Sequence, residues 1–261
     1  MKCLLVGCGN MGGALLERWA QGLEANFTVL DPMRLSLPSD VPQVTAVDDL
    51  DGLFDCIILA VKPQMMDSVC PSLVLHKARG GLVISIAAGT TLDTLNRLMG
   101  PGPKIRLMPN LAAKLGLGLS ALTATSPLSG EHKRFSEALA ASVGQYLWVS
   151  DDEGIDRFTA LAGSGPGYVF ELMRSLESAA NAQGFSAKDS HLIAESVFQG
   201  AAAYAAATPD QSFADLRDAV TSKGGTTEAG LSVMMKDSGA ESMLQGAVEA
   251  AVQRARVLAN S

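Results

Sequence analysis

The sequence has few aromatic side chains (5%) and few charged ones (18%) among its 261 residues. Hydrophobic residues still reach 48%, which excludes an intrinsically disordered chain. Acidic residues outnumber basic ones 27 to 20, giving a net charge of −7. This balance argues against a nucleic-acid partner, which needs a basic face. No run approaches the roughly 18 apolar residues of a membrane span, so we expect no membrane partner.

Cysteine is also scarce, and its spacing excludes two kinds of site. The four cysteines form no C-x-x-C pair: Cys3, Cys8, Cys56 and Cys70. A disulfide framework or a zinc site would need closer pairs, so we expect buried thiols, no metal and a cytoplasmic location. The apolar run before Gly7-Cys8 is too short for a signal segment.

The first 150 residues alternate short apolar runs with helical patterns. Continuous apolar runs are typical of strands buried on both faces, and this alternation predicts a parallel α/β sheet. The predicted strands are Cys3–Val6, Phe27–Leu30, Cys56–Val61, Leu82–Ala87 and Ile105–Met108, with Leu119–Thr123 and Gln145–Val149 extending the sheet.

After Asp151 the pattern becomes helical and rich in alanine. We predict helices at Gly165–Gln183, Ala187–Ala206, Ser212–Val220, Thr226–Met235 and Ala240–Ala259. The sequence therefore predicts two domains, 1–150 and 151–261. The apolar faces of these helices are wider than one small bundle needs. This favours a homodimer or a larger homo-oligomer over a monomeric bundle.

A glycine-rich turn follows the first predicted strand. Gly7-Cys8-Gly9-Asn10-Met11-Gly12 has the spacing G-x-G-x-x-G and opens a helix at Gly13–Trp19. The three glycines allow a tight turn, close approach of a pyrophosphate, and close helix–strand packing. With a second strand and an acidic residue 19 positions later, the turn predicts dinucleotide binding and a Rossmann-type domain.

That acidic residue is Asp31, at the end of the second predicted strand. Its carboxylate can accept hydrogen bonds from the adenine ribose and would repel a 2′-phosphate, which favours NAD(H). Arg34 could neutralise the same phosphate, and Asp31-Pro32 also suits an ordinary turn. The sequence leaves NADH and NADPH open.

Three further segments follow strands at the edge where ligands of such sheets bind. They are Ala60-Val61-Lys62-Pro63, Ala87-Ala88-Gly89 and Met108-Pro109-Asn110. Lys62 could face the cofactor, although a solvated loop lysine is equally compatible with the pattern. From these segments we select Ala60, Val61, Lys62, Pro63, Ala87, Ala88 and Asn110 as candidate cofactor contacts.

The helical half carries a second candidate site. Thr221-Ser222-Lys223-Gly224-Gly225-Thr226-Thr227 precedes a helix. Glycine N–H groups, hydroxyls and the positive end of the helix suit a small carboxylate, and an ordinary capped loop is the alternative. Ala162–Tyr168 is rich in small residues and would admit either a ligand or a neighbouring chain; a hinge is the alternative.

Taken in order, these motifs resemble the pyrroline-5-carboxylate reductase family over nearly the whole chain. The matching segments are Gly7–Gly12, Ala60–Pro63, Ser85–Gly89, Met108–Asn110, Ala162–Tyr168, Leu216–Asp218 and Val220–Thr227. The resemblance implies a doubly wound parallel sheet followed by an all-α substrate and dimerisation domain. It also implies a swapped dimer with its active site at the interface.

The resemblance further implies a reaction. A hydride from NADPH, with NADH as the alternative donor, reduces the C=N bond of 1-pyrroline-5-carboxylate to give L-proline, the last step of proline biosynthesis. The substrate carboxylate would rest on the N–H groups of Gly224, Gly225, Thr226 and Thr227, aided by the Ser222 hydroxyl. Thr227 would also hydrogen-bond the ring nitrogen, as the catalytic contact. His76, His132 and His191 lie outside every motif, and we expect them at the surface.

The chain departs from the family pattern at three places: Leu111-Ala112 where members have Thr-Pro, Lys223 where many have Pro, and Gly167 where Ala is common. We expect Lys223 to project into solvent.

Three other functions compete with this interpretation. A β-hydroxyacid dehydrogenase would need a lysine between Asp151 and Gln183, and none occurs there. A non-catalytic dinucleotide sensor and a reductase of the six-membered imine stay open.

Overall fold

The computed structural model describes residues 1–38, 40–125 and 128–259. Its sheet has eight strands in the order β3-β2-β1-β4-β5-β6-β7-β8. They are β1 Lys2–Val6, β2 Asn26–Leu30, β3 Gln43–Val44, β4 Phe54–Leu59, β5 Lys77–Ser85, β6 Lys104–Met108, β7 Gly118–Ala124 and β8 Gly144–Trp148. All seven predicted strands are present, and the two-residue β3 was not predicted.

The sheet is parallel only through its first six strands. β7 pairs antiparallel with β6, through pairs such as Leu107 with Leu122, and β8 then runs parallel to β7. An apolar run predicts that a strand is buried but carries no information about its direction. The prediction of a parallel sheet is therefore confirmed for β1 to β6 and corrected for the last two strands.

Two strands end earlier than predicted. β4 ends at Leu59 instead of Val61, and β5 ends at Ser85 instead of Ala87. The apolar residues that follow leave the sheet but stay in contact with the core: Ala60 and Val61 pack against its two faces. Burial continues past the last strand pair, so hydrophobicity alone places these strand ends too late.

Four helices cover the two faces of the sheet. α1 (Asn10–Gly22) and α4 (Gly130–Ala141) pack with Leu5 on one face, and α2 (Met66–Leu73) and α3 (Leu92–Met99) pack with Leu4 on the other. Consecutive strand residues thus point to opposite faces, as expected of a strand. This is the doubly wound arrangement that the family resemblance implies.

A buried ion pair ties the inner strand β6 to a helix that was not predicted, α5 (Asp152–Phe158). The Arg106 guanidinium on β6, only 2% exposed, lies 2.6 Å from an Asp152 carboxylate oxygen. Asp152 also accepts the Leu92 N–H at the start of α3. Burial raises the pKa of Asp156, the second carboxyl beside Arg106.

The remaining helices are α6 Gly165–Ala182, α7 Ala187–Ala207, α8 Phe213–Ala219, α9 Thr226–Met234 and α10 Gly239–Ala259. All five lie where the alanine-rich pattern predicts them, within two residues at each end. The chain divides into two compact units, 1–164 with 251–261, and 165–250. The domain boundary near residue 150 remains a prediction, and residues 260 and 261 of the second predicted domain lie outside the described residues.

The unit 165–250, all of which is described, buries very little of itself. Only Ala180, Ser190 and Ala194 are buried there. Large apolar side chains face outward, among them Phe170 (56% exposed), Leu192 (56%) and Val197 (52%). Helices of a folded protein normally bury an apolar stripe, so this unit leaves its stripes uncovered.

All four cysteines are free and buried, as expected. Within the described ranges, no helix is both long enough and apolar enough to span a membrane.

Candidate functional site

The glycine-rich turn between β1 and α1 is shaped by three close approaches. Gly7 has φ +84°, and a Cβ there would lie 2.8 Å from Val61 Cγ1. A Cβ on Gly12 would lie 2.8 Å from the Gly7 carbonyl oxygen and 3.1 Å from Ala60 Cβ. Around Gly9, by contrast, no atom of the described chain lies within 4 Å of the Cβ position. The first and third glycines therefore permit packing, and the second leaves open space.

That open space adjoins the start of α1. Gly9 is the N-cap, no side chain caps the helix, and its first turn contains no acidic residue. The first N–H groups of a helix have no partner within it, and with the dipole they attract an anion. The backbone of Asn10, Met11 and Gly12 thus presents donors beside Gly9. This geometry fits a pyrophosphate.

Cys8, inside the same turn, turns its side chain away from this space. It is 7% exposed, and its thiol lies beside Gly13 in a recess also lined by Leu16 and Leu35. Burial and the neighbouring Asp31 carboxylate raise the pKa of Cys8 to about 11. The thiol therefore stays protonated at neutral pH, and any cofactor contact from Cys8 comes from its backbone.

Asp31 lies just beyond β2 and is held by two backbone donors. One carboxylate oxygen accepts the Cys8 N–H at 2.8 Å, and the other accepts the Met33 N–H at 2.9 Å. Arg34 is exposed and has no polar partner within the described ranges. The carboxylate is thus fixed against the glycine-rich turn, with free lone pairs for hydroxyl donors.

The other predicted cofactor residues lie at the same edge of the sheet. Ala60 to Pro63 follow β4, Ala87 and Ala88 follow β5, and Asn110 follows β6. Lys62 is exposed and precedes a short 3₁₀ turn. The Asn110 amide oxygen accepts the Leu119 N–H at 3.2 Å, which leaves the amide N–H groups available. Leu111, where the family has threonine, is 44% exposed.

The second predicted site surrounds the start of α9. Gly224 has φ +73°, and a Cβ on Gly225 would overlap the Ser222 hydroxyl and backbone. Gly225 is the N-cap and its own N–H bonds the Ser222 carbonyl at 2.9 Å. Lys223 is exposed, as expected for a side chain in solvent. Both glycines are thus needed for the shape of this loop.

Donors at this helix start are largely unused. No side chain caps α9. Among the residues that the structure describes, the hydroxyls of Ser222, Thr226 and Thr227 have no hydrogen-bond partner. The N–H groups of Thr226 and Thr227 belong to the first helical turn, where no intrahelical acceptor exists. The loop therefore offers an uncapped cluster of donors that suits a carboxylate.

Two donors expected to bind the substrate are occupied, and the Gly225 N–H, bonded to the Ser222 carbonyl at 2.9 Å because the loop turns there, is the first of them. The Gly224 N–H donates to a carboxylate oxygen of Glu228, in the same helix, at 2.6 Å. The expectation that the Gly224 and Gly225 N–H groups bind the substrate carboxylate is therefore corrected, and Glu228 was not among the predicted site residues. An acid three positions after an N-cap is the usual sign of a side chain that reaches back to the helix start, and Gly225-Thr226-Thr227-Glu228 carries that sign.

The Arg106–Asp152 pair was not predicted either, because the capping pattern at the start of α5 was overlooked in the sequence. Asp151 caps α5 by accepting the Gly154 N–H at 2.7 Å, and two acids follow in the first turn. That capping pattern was visible in the sequence. A π-helical turn, Thr159–Gly163, then joins α5 to the small-residue segment that enters α6.

The histidines and possible metal ligands add no further site. His191 is exposed as expected, whereas His76, whose ring nitrogen lies 3.3 Å from the Gly52 carbonyl oxygen, and His132 are partly buried. Within residues 1–38, 40–125 and 128–259, no three His, Cys, Asp or Glu side chains are grouped to hold a metal ion.

Comparison with known proteins assigns the chain to a family. Residues 152–258 match the model of the pyrroline-5-carboxylate reductase dimerisation domain, and residues 2–89 match that of the coenzyme F420-dependent NADP oxidoreductases. A pyrroline-5-carboxylate reductase of Vibrio alginolyticus is 36% identical over 97% of this chain and 96% of its own length. The chain belongs to the pyrroline-5-carboxylate reductase family.

Solved structures agree with this assignment. A pyrroline-5-carboxylate reductase from Coxiella burnetii is 30% identical, with a TM-score of 0.88 over 99% of this chain and 98% of its own. The Plasmodium falciparum pyrroline carboxylate reductase, solved with NADP bound, has the same fold at 24% identity, with a TM-score of 0.83 over 99% and 98% of the two chains. As a member of this family, the chain is an oxidoreductase.

Proposed function

We propose that this chain reduces 1-pyrroline-5-carboxylate to L-proline, with a nicotinamide dinucleotide as hydride donor. The observation that carries the proposal is the uncapped donor cluster at the start of α9, in a chain that also has an open glycine-rich turn before α1. The first feature suits the substrate carboxylate and the second suits the cofactor pyrophosphate.

Substrate binding begins with the carboxylate. The N–H groups of Thr226 and Thr227 and the Ser222 hydroxyl are free to donate to it, and the dipole of α9 adds a favourable charge. Charge-assisted hydrogen bonds of this kind are about twice as strong as neutral ones. They fix one end of the substrate and so orient its ring.

The ring nitrogen is the next contact, and Thr227 makes it. Its hydroxyl has no partner among the described residues, so it can hydrogen-bond the nitrogen of a substrate held on the same helical turn. Reduction places a proton on that nitrogen, and a protonated imine is already a good hydride acceptor. The chain therefore supplies positioning and electrostatics more than acid strength.

The bound dinucleotide supplies the hydride, and we propose that Gly7, Gly9, Gly12 and the N–H groups of Asn10 and Met11 hold its pyrophosphate. The edge residues Ala60–Pro63, Ala87, Ala88 and Asn110 would contact its remaining parts. NADPH and NADH differ at the 2′ position of the adenine ribose, near Asp31 and Arg34. We propose NADPH as the reductant, with NADH as the alternative: the Asp31 carboxylate, held by two backbone N–H groups, opposes a 2′-phosphate, and Arg34 could neutralise it.

We further propose that the protein acts as a homodimer, or a larger oligomer built from dimers, in the cytoplasm. The exposed apolar side chains of residues 165–250 and the match to a dimerisation domain support the first part. The four free, buried cysteines are compatible with a reducing compartment.

One assay tests the reaction and the assigned catalytic contact together. Purified protein is mixed with 1-pyrroline-5-carboxylate and either NADPH or NADH, and loss of reduced cofactor is followed. We expect turnover, with kcat about 10- to 100-fold lower in Thr227→Ala, because a hydrogen bond to a charged group is lost. Thr227→Ser, which keeps the hydroxyl, should retain most of the rate.

Two outcomes would contradict the proposal. No turnover with either cofactor, despite measured dinucleotide binding, would favour a sensor or a six-membered imine substrate. Unchanged kcat and KM in Thr227→Ala would remove Thr227 from the mechanism but leave the reaction intact.

A further inference from the structure

Glu228 places a carboxylate inside the donor cluster proposed for the substrate. Its oxygen lies 2.6 Å from the Gly224 nitrogen, at the turn where φ of Gly224 is +73°. Gly224 is one of only a few donors there, because the Gly225 N–H is used by the Ser222 carbonyl. The Glu228 carboxylate thus has the same charge as the substrate carboxylate and bonds a donor that the substrate carboxylate would use.

This contact is not required to hold the loop. The loop is already closed by the Gly225 N–H to Ser222 carbonyl bond, and the Thr221 hydroxyl bonds the Arg217 carbonyl at 2.6 Å. Glu228 is exposed and makes no other hydrogen bond or ion pair within the described ranges. Its carboxylate can therefore leave Gly224 for water at small cost.

We infer that Glu228 is a specificity-determining residue that competes with the substrate carboxylate for the Gly224 N–H. This inference rests on the proposed function. A carboxylate ligand that takes all the donors must displace Glu228 first, whereas a ligand without a carboxylate leaves it in place. Glu228 then weakens binding of every carboxylate ligand, the product L-proline included, and leaves the hydride-transfer step unchanged.

The first test compares KM values in the full-length protein. Glu228→Gln should lower KM for 1-pyrroline-5-carboxylate about three- to tenfold with kcat within a factor of two, because a neutral amide holds the Gly224 N–H less strongly. Glu228→Ala should lower it at least as far. With 1-pyrroline, which lacks the carboxylate, neither variant should change KM.

Two control variants separate occupation of the donor from simple charge repulsion. Glu228→Asp keeps the negative charge at the helix start, but its side chain is one methylene shorter and draws back from Gly224. Competition predicts a lower KM for Glu228→Asp as well, and repulsion predicts none. Glu195→Gln removes the same charge from an exposed site on α7 and should change nothing.

A binding measurement makes the test independent of turnover. Titration calorimetry with L-proline should give a Kd that falls by the same factor in Glu228→Gln. Equal Kd and KM values in wild type and variant would overturn the inference, as would an effect confined to the charge-removing variants or one that extends to 1-pyrroline. Absence of turnover in the wild type would instead refute the proposed function, and absence of proline binding by every variant would refute both.

Discussion

At the scale of single residues, Asp31 places a fixed negative charge beside the glycine-rich turn. Its two oxygens accept the Cys8 and Met33 N–H groups, so the carboxylate cannot swing away from the glycine-rich turn. A 2′-phosphate near that position would be repelled, whereas a ribose diol could donate to it. The backbone contacts that fix the Asp31 carboxylate therefore bear on the choice between NADH and NADPH.

We predict that Asp31→Asn raises the ratio of kcat/KM for NADPH to kcat/KM for NADH by about 10-fold or more, a change worth about 1.4 kcal/mol. Asparagine is nearly isosteric and removes the charge, but it keeps an acceptor for only one of the two backbone N–H groups. Asp31→Ser should shift the ratio in the same direction. Parallel assays with both cofactors measure it, and a constant ratio in both variants would mean that Asp31 does not face the ribose.

Residues of this kind differ in how far the sequence predicts them. The spacing of Gly7, Gly9 and Gly12 predicts their separate roles, because each role follows from the absence of a Cβ at a fixed place in a turn. The contact between Glu228 and Gly224 depends on a side-chain conformation. The sequence shows only that such a contact is possible.

At the scale of elements, two lysines hold the loop between α3 and β6. The Lys104 ammonium lies 2.5 Å from the Gly100 oxygen and 3.0 Å from the Gly102 oxygen, and Lys77 bonds the Met99 and Pro101 oxygens. Lys104 is fully buried and has no carboxylate partner within the described ranges. Burial, and then the charge of Lys77, lower its pKa to about 8.

This pKa predicts a stability that rises with pH. Between pH 8 and the usual lysine pKa near 10.5, the unfolded chain binds more protons than the folded one, so the free energy of unfolding increases. We expect a gain of up to about 2 kcal/mol between about pH 8 and pH 10, relative to Lys104→Met, which cannot titrate. Denaturant unfolding of both proteins across this range measures it, and parallel curves would contradict it.

The positions of the helices and strands can be predicted closely from the sequence, whereas the direction in which the strands pair cannot. Apolar runs locate seven strands because burial on both faces requires them. The reversal of β7 is invisible in those runs, since pairing direction depends on the chain path between Met108 and Gly118. α5 was not predicted, because the segment is too short to show a helical period, although Asp151 is a typical N-cap residue.

At the scale of the whole molecule, the exposed apolar helix faces of residues 165–250 lead to a prediction about the oligomeric state. We predict a dimer or larger assembly by light scattering at micromolar concentration. Leu192→Asp should weaken association at least about tenfold, since it replaces burial worth about 1.5–3 kcal/mol with a charge. Lys188→Glu, a charge change on the same helix at an exposed position, should leave the mass unchanged. A monomeric wild type would refute the prediction.

The wide apolar helix faces favour an oligomer from the sequence alone, but they cannot say which side chains meet. The family assignment was reachable as well, because the Ser222–Thr227 block is specific. The choice of imine ring size was not, since it depends on the volume left around a bound substrate.

The small number of buried residues in 165–250 has a consequence for the stability of the protein in the cell. A folded segment with three buried residues has little stability of its own, and in the proposed oligomer mass action between copies would supply the rest. Its lifetime against proteases would then depend on how many copies are present. Newly made chains would be the most vulnerable, and enzyme abundance would respond more than linearly to the rate of synthesis.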